Sequence, residues 1–134
     1  MADSSDFTAL TKAATGNYIR LDPQAAQDCA KMCSDLITEL KSAINDTGKL
    51  ATLAHDQAFG DGTIIPNAKD LADRYDSRAG GGDSSLQHAL GKHVKVVSDM
   101  MDTFVAAGRA YLTNEHASAA DISKYDNTIK ALPR

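Results

Sequence analysis

Two long stretches of small and apolar residues at helical spacing, separated by a mixed linker, constrain this chain more than any other feature. The first opens at Leu21-Asp22-Pro23 and runs towards Phe59-Gly60. Asp22 suits a helix N-cap, and Pro23 suits the first helical position, where its missing N–H costs nothing. The inward face reads Ala26, Cys29, Cys33, Leu36, Leu40 and Ala43, with Ala30, Ile37 and Ile44 as a flanking row. That seam is wider than a two-stranded coiled coil needs. The phase continues through Thr47, Leu50 and Ala54 across Asn45-Asp46-Thr47-Gly48. A helix of about 36 residues, roughly 54 Å long, is predicted, kinked or broken near Gly48.

The second stretch opens at Asp83-Ser84-Ser85 and runs past Tyr111. Ser84 with Gln87 makes a capping box. The seam is Leu90, Val94, Val97, Met101, Phe104, Gly108 and Tyr111; Ala89, Val96, Met100 and Ala107 form a second row. Gly108 inside a helix costs about 1 kcal/mol against Ala. A neighbouring backbone in close approach would offset that cost; a glycine tolerated near a fraying end is the alternative.

Composition agrees with helices. The 134 residues suit one domain burying roughly two thirds of its unfolded surface. With no Trp, three Phe and four Tyr, the core must be filled by Ala, Leu, Ile, Val and Met, which suits closely packed helices better than a β-sandwich. The net charge is −4 and the basic residues are scattered. Nucleic acid is therefore disfavoured as the main ligand, and so is a polybasic membrane contact. The polar, acidic start, Met1 to Asp6, lacks the features of a cleaved signal peptide, and no apolar run approaches the length of a membrane span.

Three boundaries follow. Residues 1–20 read as an N-terminal arm in which Phe7, Leu10 and Ala14 share one face of a short helix ended by Gly16-Asn17. Residues 21–115 form the helical domain, with an insert at 59–83. Within the insert, Asn67 caps a short helix whose Ala68, Leu71, Ala72, Tyr75 and Ala79 share a face and which Gly80-Gly81-Gly82 stops; Ile64 and Ile65 precede it. Residues 116–134, polar with isolated Ile122, Tyr125, Ile129 and Leu132, read as a flexible tail that orders on a partner.

Little in the chain points to chemistry. Cys29 and Cys33 lie on one helix face with side chains too nearly parallel for an unstrained disulfide, and read as small buried hydrophobes; a redox or metal pair is the alternative. His88 and His93 are five apart, and His55 and His116 lie at the far ends of the two helices, so the ligand spacing of a helical metal site is missing. Gly60-Asp61-Gly62 and Gly80-Gly81-Gly82-Asp83 do not match a phosphate loop. Asp99 and Asp102 fit a solvated face better than acid–base work. No enzyme activity, cofactor, metal or small-molecule substrate is expected.

The stretches Ile19-Arg20-Leu21-Asp22-Pro23-Gln24-Ala25-Ala26 and Val105-Ala106-Ala107-Gly108-Arg109-Ala110-Tyr111, with Tyr111-Leu112-Thr113-Asn114-Glu115 at the end of the second helix, resemble the WxG-motif helical-hairpin proteins exported by type VII (ESX) secretion systems in actinobacteria. Phe59-Gly60 stands where the family's Trp-x-Gly turn would be, so the chain resembles a divergent member lacking the Trp. The resemblance covers residues 19 to 118. It implies an all-α fold, an antiparallel hairpin of two long helices with a short helical insert, dimerising into a four-helix bundle. Tyr111 and Glu115 match the Tyr-x-x-x-Asp/Glu export signal; Tyr18-Ile19-Arg20-Leu21-Asp22 matches it too, but in the wrong place. The implied partners are a second copy or a paralogous hairpin, and the type VII machinery. Export would bypass a cleaved signal, taking the protein from the cytoplasm to the envelope or the exterior. Ala30, Ile37 and Ile44 on the first helix, with Ala89, Val96 and Met100 on the second, are the expected partner interface. Three rivals stay open: a cytoplasmic interaction or regulatory module, a small bundle enzyme or redox protein using Cys29 and Cys33, and a monomer whose insert covers these rows itself.

Overall fold

The computed structural model describes residues 6–55, 66–80 and 85–134. All regular structure among them is helical: α1 (Asp6–Thr15), α2 (Pro23–His55), α3 (Ala68–Ala79), α4 (Leu86–Asn114) and α5 (Ala119–Lys130). Phe59-Gly60, Gly60-Asp61-Gly62, Ile64, Ile65, Gly81, Gly82, Asp83 and Ser84 lie outside the described residues.

The helix starts follow local chemistry. Asp22 Oδ2 accepts hydrogen bonds from the backbone N–H of Gln24 and Ala25 at 3.0 and 3.1 Å, satisfying two donors that the first turn of α2 leaves open. Ser85 Oγ accepts from His88 N at 3.1 Å, so the described cap of α4 falls one residue after the expected Ser84. The expected capping-box partner Ser84 lies outside the described residues; Gln87 Oε1 lies close to Gly80, where a Cβ would meet it at 2.8 Å. Contrary to the expected break near Gly48, α2 is continuous. One glycine costs only about 1 kcal/mol, and its turn is tied on both sides, by Thr47 Oγ1 donating to Ile44 O at 2.6 Å and Thr52 Oγ1 to Gly48 O at 3.1 Å.

The chain divides into two compact units, Met1–Thr38 with Lys95–Arg134, and Glu39–Val94. In the second unit Thr47, Ala68, Ala72, Ala79 and Ser85 are buried. Asn67 precedes α3 but its side chain makes no capping bond, and Leu71 and Tyr75 are exposed, so α3 buries only its alanines.

In the first unit the core is built largely from small residues: Ala14, Ala26, Ala30, Cys33, Ser34, Ala107 and Ala110 are buried with Ile37, Val97 and Met101. The backbone comes close enough for Leu21 N to donate to Ala107 O at 3.1 Å. Thr103 Oγ1 on α4 lies 2.7 Å from Thr11 Oγ1 and donates to Phe7 O at 3.1 Å, which ties α1 to α4.

The C-terminal segment departs from the expected flexible tail. Residues 119–130 are helical, and Ser118 caps them by accepting from Asp121 N at 3.1 Å. Tyr125 is only 2% exposed. Its ring fills a notch at Gly108: a Cβ on Gly108 would lie 2.5 Å from Ala26 Cβ, 2.9 Å from Tyr125 Cζ, and closer still to the Tyr125 hydroxyl oxygen. That hydroxyl donates to Val105 O at 2.7 Å. Arg109 pairs with Asp126 at 3.3 Å beside it. Beyond α5, Ser34 Oγ donates to Pro133 O, and Arg134 reaches Asp102 at 2.7 Å. Burying an aromatic ring and satisfying its hydroxyl offsets the entropy of ordering the segment.

Two outcomes follow. Ala is the better helix former by about 1 kcal/mol, yet Gly108→Ala should lower urea-unfolding stability by about 1–3 kcal/mol, because the new methyl overpacks the notch. Burial first, then the charge of Asp126, push the Tyr125 hydroxyl up to about 12, with Arg109 opposing. The folded value lies above the unfolded one, so this contribution to stability is complete below about pH 10 and is lost as pH rises from there towards 12. Urea midpoints across that window should fall in the parent and fall less in Tyr125→Phe.

Candidate functional site

An apolar groove open to solvent lies in the first unit. Cys29, Met32, Cys33 and Leu36 from α2 meet Val97, Met100 and Phe104 from α4 around a groove of about 360 Å³. Met32 is 71% exposed and Leu36 47% exposed, although both are large and apolar. Every lining side chain is apolar or a thiol, so the groove has nothing to orient a polar substrate or to move a proton. What it can do is bury another apolar surface, and methionines adapt to irregular ones.

The thiols fit that character. Cys33 is buried, Cys29 is half-buried, and both are free. Burial, and then the neighbouring Cys29, push the Cys33 thiol above its ordinary value. A raised thiol is the opposite of what nucleophilic or redox chemistry requires.

The expected interface residues are divided between the two units. Ala30 is fully buried and Ile37 is 1% exposed, in the chain's own core; this corrects their assignment to a partner. Ile44 and Met100 are half-buried, whereas Ala89 and Val96 are exposed. Ile44 and Ala89 belong to the second unit. On α2 both rows contribute to the core, Ala26 and Cys33 from the expected inward face and Ala30 and Ile37 from the flanking row, while Leu36 of the inward face looks out. The sequence signal that missed this is Ser34. Counting it as a core position puts Ala26, Ala30, Ser34 and Ile37 on one stripe at helical spacing.

Tyr111 lies in the last turn of α4 and Glu115 directly follows the helix. They sit one turn apart at the end of α4, where Glu115 N donates to Tyr111 O at 2.9 Å. Glu115 is exposed, and Tyr111 is 36% exposed rather than part of the buried seam. Tyr18 is exposed in the turn after α1.

The other candidates are engaged or dispersed. Asp99 pairs with Lys95 at 3.0 Å and Asp102 with Arg134. His88, His93 and His116 are exposed. Among the described residues no group of three or more His, Cys, Asp or Glu is placed to hold a metal ion, and no helix is long and apolar enough to cross a membrane. A depression of about 640 Å³ in the second unit, lined by Lys41, Ile44, Asn45, Lys49, Thr52 and Gln87, is wide open to solvent.

Comparison with protein-family models, curated proteins and solved structures finds no match for this chain.

Proposed function

We propose that this chain is a non-enzymatic binding protein of the type VII secretion kind, a helical hairpin that docks a partner hairpin and is exported through Tyr111 and Glu115. The observation that carries it is the apolar groove between α2 and α4, where Met32 and Leu36 stand in solvent. Exposed apolar side chains grouped in this way are typical of interaction sites.

Two further observations support the reading. Ala26 meets Gly108, while Leu36 shares the groove with Val97 and Met100, as antiparallel packing of α2 on α4 requires. Tyr111 and Glu115 present an aromatic ring and a carboxylate on one exposed turn, a pair that a receptor groove can read together. The partner is a second copy or a paralogous hairpin, joined at the groove into a four-helix bundle. The protein would pass from the cytoplasm to the envelope or the exterior.

The test has two arms. In a host with a type VII system, Tyr111→Ala and Glu115→Ala should each lower the secreted fraction roughly tenfold, as losing about 1.4 kcal/mol at a receptor would, with intracellular levels unchanged. Equal export of parent and variants removes the export reading and leaves a cytoplasmic interaction module. Separately, Met32→Asp should weaken association with the partner hairpin encoded alongside, or with itself, in calorimetry. Unchanged association removes the groove.

A further inference from the structure

The connection from α4 to α5 holds one of the two non-glycine residues with positive φ among the described residues. α4 closes with two bonds, His116 N to Thr113 O at 3.2 Å and Ala117 N to Leu112 O at 3.0 Å. This paired closure normally has glycine in the left-handed position. Here that position is His116, with φ at 53°. Asn17, the other described non-glycine residue with positive φ, is of a type that adopts the left-handed region readily. Histidine, like asparagine, enters that region more often than most residues, but at a cost that glycine does not carry.

The connection itself, Glu115-His116-Ala117-Ser118, contains neither Gly nor Pro. Nothing in its covalent chemistry prevents α4 from running through it into α5 as one helix. That continuous form removes the strain at His116 and gives up only the Ser118 cap, whose role passes to the helix ladder. It also withdraws α5 from its seat, leaving the Gly108 notch empty and Tyr125 in water.

The seat is specific. Tyr125 fills the notch and donates to Val105 O, Asp126 pairs with Arg109, Pro133 O accepts from Ser34, and Arg134 pairs with Asp102. Few surfaces other than this one match all four. The best replacement for a withdrawn α5 is therefore the α5 of another copy, and two copies can make every contact reciprocally.

We infer that the turn at His116 is a hinge through which two copies of this chain exchange α5, giving a dimer distinct from one formed at the Cys29–Phe104 groove. In the exchanged dimer α4, the connection and α5 form one rod, and Tyr111 and Glu115 lie in its middle rather than at a helix end. The inference stands whether or not the protein is exported.

The test follows where α5 docks. Ser34→Cys and Pro133→Cys are introduced with Cys29→Ser and Cys33→Ser, and the protein is refolded at millimolar concentration and oxidised. The exchanged dimer gives a disulfide between chains, seen as a covalent dimer on a non-reducing denaturing gel; the closed form gives one within a chain. The same chain with His116→Gly should show at least about tenfold less covalent dimer, since glycine relaxes the turn in both copies. His116→Val, which resists positive φ, should show more. Light scattering on the parent chain, without the new cysteines, gives the amount of dimer independently. A parent dimer whose cross-links all lie within single chains overturns the inference and points to the groove. So does a covalent dimer fraction that is the same with Gly, His and Val at the hinge. A parent that stays monomeric after refolding at millimolar concentration overturns it as well.

Discussion

The first unit depends on one missing side chain. Gly108 has no Cβ, and the space it leaves is shared by the Ala26 methyl and the Tyr125 ring. Any other residue at 108 would meet both. Because nothing projects there, α2 and α4 approach through small residues, and the backbone between α1 and α2 bonds directly to Ala107. The same absence gives α5 somewhere to put its aromatic ring. A chain with no Trp and three Phe builds order here by fitting closely rather than by filling volume.

That closeness has a consequence for the rest of the surface. α5 reaches the backbone of α4 at Val105, the segment after it reaches α2 at Ser34, and Ala30 and Ile37 are enclosed in the chain's own core. Among the large apolar residues left in solvent, Met32 and Leu36 stand together beside Met100 and Phe104. A partner, on the proposed reading, meets that groove and not the row that the heptad-like pattern singles out. On the proposed reading the export turn at Tyr111 and Glu115 lies directly before the inferred hinge at His116, so whatever moves α5 would also change the backbone that displays it.

The long helices, the Asp22 cap and the position of α3 were legible in the pattern because each rests on local chemistry: apolar spacing, a capping carboxylate, a glycine stop. The need for Gly108 was legible as a cost without a visible return, though not the identity of Tyr125 as the return. α5 was missed because its apolar residues are few. Its signals were nonetheless present: Ser118 three residues before Asp121, then Ile122, Tyr125, Ile129 and Leu132 at alternating three-four spacing, Lys130 in the last turn, and Pro133 after it. The division of the two rows on α2 was not legible. Ser34, a polar residue, occupies a core position there, and its partner, the Pro133 carbonyl, is nearly a hundred residues away.

The most direct check on this account is a set of proton–proton nuclear Overhauser effects at the notch. The Tyr125 ring protons should show strong cross-peaks to the Gly108 α protons and to the Ala26 methyl, with helical shifts through residues 119–130. Sharp, random-coil resonances for that segment, with no cross-peak from the Tyr125 ring to Gly108 or Ala26, would contradict it.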